Sequence, residues 1–278
     1  MDQHPAELSP LGKSSDYVSV YTPSLLFPIP RAPKWAELGL QSEILPFHGA
    51  DIWNCYELSW LTPSGKPAVA AVEFIFPLKA ARIVESKSFK LYLNSFNQTV
   101  FSDRSDVVRT LESDLSVAAQ GPVMVRLLGM ESLQQEGFSK LSGRCLDDLD
   151  VSISDYHYRP GLLSLASSGL TVNESLHSHL LKSNCPVTGQ PDWASVQIDY
   201  RGPALDQANL LRYLVSFRQH ADFHEQCVER IFVDLLQVLG EGAELTVYAR
   251  YLRRGGLDIN PWRSTRPGLP ENLRLARQ

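Results

Sequence analysis

Apolar residues recur at helical spacing in Val228, Ile231, Phe232, Leu235 and Leu236, behind Asp222, and again in Val107, Leu111 and Leu115, behind Asp106. Each spacing predicts an amphipathic helix with an acidic residue placed to cap it. Residues 176–182 also read as a short helix-like stretch. Runs rich in β-branched and aromatic residues at 69–76, 123–127, 194–200 and 245–251 predict strands, with further strands at 53–60 and 151–158. The order is strand, two helices, strand, and it occurs twice. That is an α+β pattern, antiparallel sheet with helices on one face.

The repetition is visible in the residues themselves. Tyr92-Leu93-x-Ser95-Phe96-x-Gln98 returns as Tyr213-Leu214-x-Ser216-Phe217-x-Gln219, a shift of 121 residues. The same shift carries Val107 and Arg109 onto Val228 and Arg230, and Leu111 and Leu115 onto Phe232 and Leu236. Upstream, Pro63-x-Gly65-x-Pro67 answers Pro186-x-x-Gly189-x-Pro191 with one residue inserted. The chain therefore reads as two tandem modules, 1–150 and 151–278, with a boundary expected near 145–155.

Composition narrows the function. At 278 residues and 44% apolar, the chain can bury a substantial core. Residues 1–15 lack a cationic segment followed by an apolar one, so no secretory signal is expected, and 231–239 is too short and too polar to span a membrane. Net charge is -5 and no run of Lys or Arg exceeds two residues, so a nucleic-acid partner is not expected. Four scattered cysteines without a CxxC point to reduced thiols in a cytoplasmic protein.

Candidate chemistry sits where the copies differ. Cys185 faces Thr62 of the first copy, Asp192 faces Ala68, and His224-Glu225 faces Asp103-Arg104, whereas Glu85-Ser86-Lys87 faces Asp206-Gln207-Ala208. Cys185, before a Pro/Gly turn, is readable as a nucleophile or as a buried structural thiol. Asp192 is readable as a turn residue or as an acid whose pKa the Trp193 indole raises by desolvation. Glu225 suits either the helix dipole or the amidine-like edge of a purine, with His224 orienting a proton. His224 and Cys227 lack further metal ligands at suitable spacing, so no metal is expected. No dinucleotide fingerprint follows a strand; Lys87 and Arg253-Arg254-Gly255-Gly256 are the candidate phosphate-binding groups, or else a solvated loop.

The segments Glu85-Ser86-Lys87-Ser88-Phe89-Lys90-Leu91-Tyr92, Lys182-Ser183-Asn184-Cys185-Pro186, Gln190-Pro191-Asp192-Trp193, Phe223-His224-Glu225-Gln226-Cys227 and 253–262 together resemble the NADPH-dependent 7-cyano-7-deazaguanine reductases in their long, two-module form. The resemblance implies two tunnelling-fold (T-fold) modules and a four-electron reduction of a nitrile to a primary amine for queuosine, a tRNA modification. It implies Cys185 as the nucleophile forming a thioimide and Asp192 as proton donor. Val84, Glu85, Ser86, His224 and Glu225 match its substrate contacts, and Ser86, Lys87, Arg254 and Gly255 its NADPH contacts. The expected partners are the small-molecule nitrile and a second copy of the chain in a homodimer. A zinc-dependent T-fold cyclohydrolase and a non-catalytic purine-binding module are the alternatives. Neither 45–49 nor 258–262 acquires a role beyond inter-module packing.

Overall fold

The computed structural model describes residues 17–278. The segment 1–15, read above as carrying no secretory signal, lies outside the described residues. In chain order the first half forms β1 (Pro28–Pro30), α1 (Ala32–Glu37), β2 (His48–Leu61), β3 (Pro67–Pro77), β4 (Arg82–Val84), α2 (Ser86–Asn94), α3 (Arg104–Ala119), β5 (Met124–Leu128), α4 (Met130–Glu136) and β6 (Arg144–Cys145). The second half forms β7 (Thr171–Asn184), β8 (Pro191–Pro203), α5 (Gln207–Ser216), α6 (His224–Leu239), β9 (Glu244–Tyr251) and β10 (Leu257–Ser264). The chain divides into two units, one of residues 17–36, 51–137 and 253–258, the other of 37–50, 138–252 and 259–278.

In the first unit β3 lies between β2 and β5, antiparallel to β5, and β1 pairs antiparallel with β4. Helix α3 packs on β5 and buries Val107, Leu111, Leu115 and Ala119, each 0% exposed. In the second unit β8 lies between β7 and β9 and is antiparallel to both, β9 pairs antiparallel with β10, and the short edge strand β6 runs parallel to β7. Helix α6 covers β8 and β9 with Cys227, Ile231, Leu235 and Leu239. Each such aliphatic side chain withdrawn from water contributes about 1.5–3 kcal/mol. This is the mixed α+β architecture of tandem T-fold modules.

Several local expectations change. Residues 176–182 belong to β7, not to a helix. Leu176, Leu180 and Leu181 mimic helical spacing because a bulge between Ser178 and Leu181 resets the strand's alternation, leaving Leu180 exposed and Leu181 buried. Residues 151–158 form no strand. The cap of α3 is Asp103, whose carboxylate accepts from Asp106 N–H, so Asp106 lies inside the helix. The cap of α6 is Phe223, whose N–H donates to Gln226 Oε1, while Asp222 is buried beside His220 (3.4 Å) and Arg230 (3.7 Å). The second helices begin at Arg104 and His224, so the copies match there with a shift one residue shorter than in the preceding helices, and Leu111 and Leu115 correspond to Ile231 and Leu235.

The repeat also extends upstream of the paired helices. Tyr21-x-Pro23-x-Leu25-Leu26 and Tyr158-x-Pro160-x-Leu162-Leu163 each make a single turn of 3-10 helix. Tyr21 and Tyr92 donate to Asp114 Oδ2 (2.7 and 2.6 Å), and Tyr158 and Tyr213 donate to Asp234 Oδ2 (2.8 and 2.5 Å). Ser95 and Ser216 likewise accept from Thr22 N–H and Arg159 N–H. One carboxylate bound by two phenols thus ties the leading segment to both helices in each module.

In the second unit, Phe47 stacks edge-on against Phe232, and a Cβ on Gly49 would lie 2.6 Å from the Trp262 carbonyl oxygen. Arg263 donates to Glu229 (2.6 Å), both fully buried. Segment 45–49 is therefore packed inside one unit against β10 and α6. Tyr213→Phe should lower the free energy of unfolding by about 1.5–3 kcal/mol, the scale of a hydrogen bond to a charged group, measured by denaturant unfolding. Unchanged stability would show that the buried Asp234 does not depend on this donor.

Candidate active site

The site begins with the end of one strand. Asn184, the last residue of β7, is paired on one side with Pro191 of β8 and on the other with Ala221, in a parallel bridge. Its N–H donates to the His220 carbonyl (2.8 Å) and its carbonyl accepts from Asp222 N–H (3.1 Å). The loop before α6 is thereby fixed beside the residue that precedes Cys185. The first module makes the same clamp with Leu61, which donates to the Thr99 carbonyl and accepts from Phe101 N–H.

Beyond Asn184 the hairpin ladder takes one more step. Cys185 N–H donates to the Gln190 carbonyl (2.9 Å), and the Cys185 carbonyl accepts from Gly189 N–H (3.0 Å), with Gly189 at φ +67°. Thr62 makes the equivalent turn, donating to the Lys66 carbonyl and accepting from Gly65 N–H. Thr62 is therefore the structural counterpart of Cys185. Likewise Ala68 and Asp192 are each the second residue of their strands, β3 and β8. At the helix start, His224-Glu225 stands where the first module has Arg104-Ser105, because α3 and α6 begin at Arg104 and His224; the pairing with Asp103-Arg104 is off by one residue.

Burial alternates along the end of β7, with Leu181, Ser183 and Cys185 inside and Lys182 and Asn184 less so; across the hairpin Asp192 and Ala194 are inside. Asp192 pairs with Ser183, so alternation puts Cys185 and Asp192 on the same buried face. Cys185 is 6% exposed and Asp192 4%. Asp192 is a strand residue and not a turn residue. Trp193 does not provide its environment: that indole stacks against Arg218 (5.3 Å) and Arg277 (5.8 Å).

What Asp192 does meet is α6. His224 Nε2 lies 3.4 Å from Asp192 Oδ2, and the imidazole stacks on Tyr251 with ring centroids 3.8 Å apart. His224 Nδ1 is buried with no hydrogen-bond partner among the described residues, a polar atom that a ligand could satisfy. Glu225 follows in the first turn of α6, 3% exposed. Burial pushes the neighbouring Cys227 thiol well up, which keeps it protonated and inert. Desolvation, then Arg218, lowers the pKa of Lys182, whose ammonium donates to the Arg218 carbonyl (2.8 Å). Cys185, Asp192, His224 and Glu225 are thus brought together in the second unit.

Val84, Glu85, Ser86, Lys87, Arg254 and Gly255 belong to the first unit. Glu85 caps α2, its carboxylate accepting from Lys87 N–H (2.6 Å) and Ser88 N–H (2.8 Å), and burial raises its pKa. Asp206 caps α5 in the same way, so the Glu85–Asp206 difference is a shared scaffold feature. The Arg253–Gly256 turn closes through Arg254 N–H to the Leu257 carbonyl (2.8 Å), with Gly255 and Gly256 at φ +58° and +81°. A Cβ on Gly255 would lie 2.7 Å from Lys90 Nζ, so the turn meets α2 one helical turn beyond Ser86 and Lys87. Two stretches distant in sequence thus meet at Lys90, a residue not singled out from sequence, whose ammonium lies 3.8 Å from Glu57 Oε2. The first N–H groups of α2 are already filled by Glu85, so an anion here would be held by side chains and not by the helix terminus.

Residues 17–127 match the family model described as nitrile reductase, 7-cyano-7-deazaguanine-reductase N-term, and residues 191–267 match that of a QueF-like protein. The chain belongs to the 7-cyano-7-deazaguanine reductase family, in its long two-module form. It is a nitrile reductase of queuosine biosynthesis acting on a small-molecule nitrile. Among the described residues no helix is long and apolar enough to cross a membrane. Within this family frame, the second match covers Asp192, His224, Glu225, Arg254 and Gly255, and the first covers Val84, Glu85, Ser86 and Lys87; Cys185 falls between the two.

Proposed function

We propose that the chain, as a cytoplasmic homodimer of two-module subunits joined near residue 150, reduces the nitrile of 7-cyano-7-deazaguanine to the aminomethyl group through a thioimide on Cys185, with NADPH as co-substrate. The observation supporting this reading is the cluster of a thiol, a carboxyl group 4% exposed and an imidazole 3.4 Å from that carboxyl, on one hairpin end and one helix start. The chemistry follows from these groups. Cys185 sulfur adds to the nitrile carbon, one carbon–nitrogen π bond breaks, and Asp192 delivers a proton to nitrogen, giving the C=N–H thioimide. Asp192 regains its proton from the Cys185 thiol or through His224, so the addition is balanced.

When bound, NADPH supplies hydride to the substrate carbon, two equivalents per turnover. Cys185 remains attached after the first reduction, then leaves as thiolate when the carbon–sulfur bond breaks to give an imine. Asp192 and His224 relay the protons that accompany each reduction, two per turnover in all. Burial of the site excludes water and protects the imine from hydrolysis. Glu225 accepts parallel N–H bonds from the deazaguanine edge and His224 orients the ring; for Val84, Glu85 and Ser86 a substrate contact rests on the family resemblance alone. Lys87, Arg254 and Gly255, with Ser86, hold the cofactor; the cations suit a 2′-phosphate, and Gly255 leaves room where a side chain would collide with Lys90.

Following reduced-nicotinamide absorbance with the nitrile present should show consumption by the native chain and none by Cys185→Ala, whose fold should survive because Thr62 occupies the equivalent turn in the first module. Turnover by Cys185→Ala would remove covalent catalysis at this residue. Calorimetry of Glu225→Gln should show substrate binding weaker by about 1.5–3 kcal/mol, since an amide offers a donor where the ligand edge also donates; unchanged affinity would leave Glu225 as a helix-terminal charge only.

A further inference from the structure

A second cluster of reactive side chains lies in the same unit but takes no part in the proposed chemistry. Cys145, His177 and His179 each direct a possible ligand atom into one place, all three atoms within 4.8 Å of one another. The fold builds this group from two strands. Cys145 pairs with His177 across the parallel β6–β7 ladder, and His179 follows two residues along β7 on the same face. The approach of the two backbones is close: Gly143 sits at φ +77°, and a Cβ there would lie 1.9 Å from the Ser175 carbonyl oxygen.

Both imidazoles are held in orientation by hydrogen bonds at Nδ1. His177 Nδ1 bonds the Ser142 carbonyl (2.9 Å), which fixes that nitrogen as the donor. His179 Nδ1 bonds Ser195 Oγ (2.7 Å). His177 thereby keeps Nε2 unprotonated and available, the tautomer and tether typical of a metal-ligating histidine, and the Ser195 hydroxyl can accept from His179 Nδ1 to leave its Nε2 available in the same way. Asp147 accepts from Ser178 Oγ (2.6 Å) and from His179 N–H (3.0 Å), adding a negative charge beside the cluster that would offset the positive charge left on a divalent ion bound by one thiolate.

We propose that Cys145, His177 and His179 form a site for a divalent transition metal of the zinc class, bound through one thiolate and two imidazoles with a fourth position open to water. This departs from the sequence-based expectation of no metal, and it does not depend on the nitrile-reductase mechanism. Binding releases the thiol proton and staples the short edge strand β6 to β7.

The test is titration of the full chain, freed of metal with chelator, with Co²⁺ as a spectroscopic probe. One ion per chain should bind with the absorption of a four-coordinate cobalt and a thiolate charge-transfer band. The charge-transfer band should be lost in Cys145→Ser, binding should weaken at least tenfold in His179→Gln, and both should persist in Cys185→Ala, which separates this site from the reactive thiol. Zn²⁺ should displace the cobalt and raise the melting temperature of the native chain but not of Cys145→Ser. Absence of binding by the native chain, or a charge-transfer band that survives Cys145→Ser, overturns the proposal.

Discussion

The backbone of Asn184 is the constraint on which the proposed catalytic arrangement depends. Its N–H and carbonyl are committed to His220 and Asp222, while its strand neighbour across the hairpin is Pro191. One residue onward is Cys185, one residue beyond Pro191 is Asp192, and two residues beyond Asp222 is His224. Two candidate groups of one hairpin and a third from a distant helix are therefore positioned by backbone hydrogen bonds, which do not depend on the identity of the side chains they present. That independence explains how the same frame exists in the first module around Leu61 with none of the reactive groups.

Duplication has left two equivalent scaffolds, of which the second carries the groups proposed for covalent chemistry. Both modules retain the helix cap at Glu85 or Asp206, the two-phenol carboxylate at Asp114 or Asp234, the left-handed glycine at 65 or 189, and the strand-end clamp. Thr62, Ala68 and Arg104 stand where the second module has Cys185, Asp192 and His224. A small side chain at 62 and 68 satisfies the same turn and the same buried face without an ionisable group, so scaffold and chemistry could diverge separately.

Much of this was legible from sequence, because the helices and strands follow periodicities that depend on local geometry. The repeat at Tyr92 and Tyr213 located both helical layers, and the mismatches between copies pointed to Cys185 and Asp192. What failed did so for identifiable reasons. The bulge at Ser178–Leu181 gave a strand helical spacing, and the one-residue change between α2–α3 and α5–α6 displaced the alignment at His224. The leading Tyr-x-Pro segments recur at a different interval from the rest of the repeat, so a fixed shift could not align them. The union of Lys90 with the Gly255 turn, and of Cys145 with His177 and His179, depends on strand and turn pairing that no local pattern encodes.

The central claim is that Cys185, alone among four cysteines, bonds to the substrate carbon. Intact-mass spectrometry of the native chain mixed with nitrile in the absence of NADPH measures this directly. The expected result is a gain of one substrate mass per chain, absent in Cys185→Ala; two adducts per chain, or one adduct that survives that substitution, would contradict covalent catalysis at Cys185.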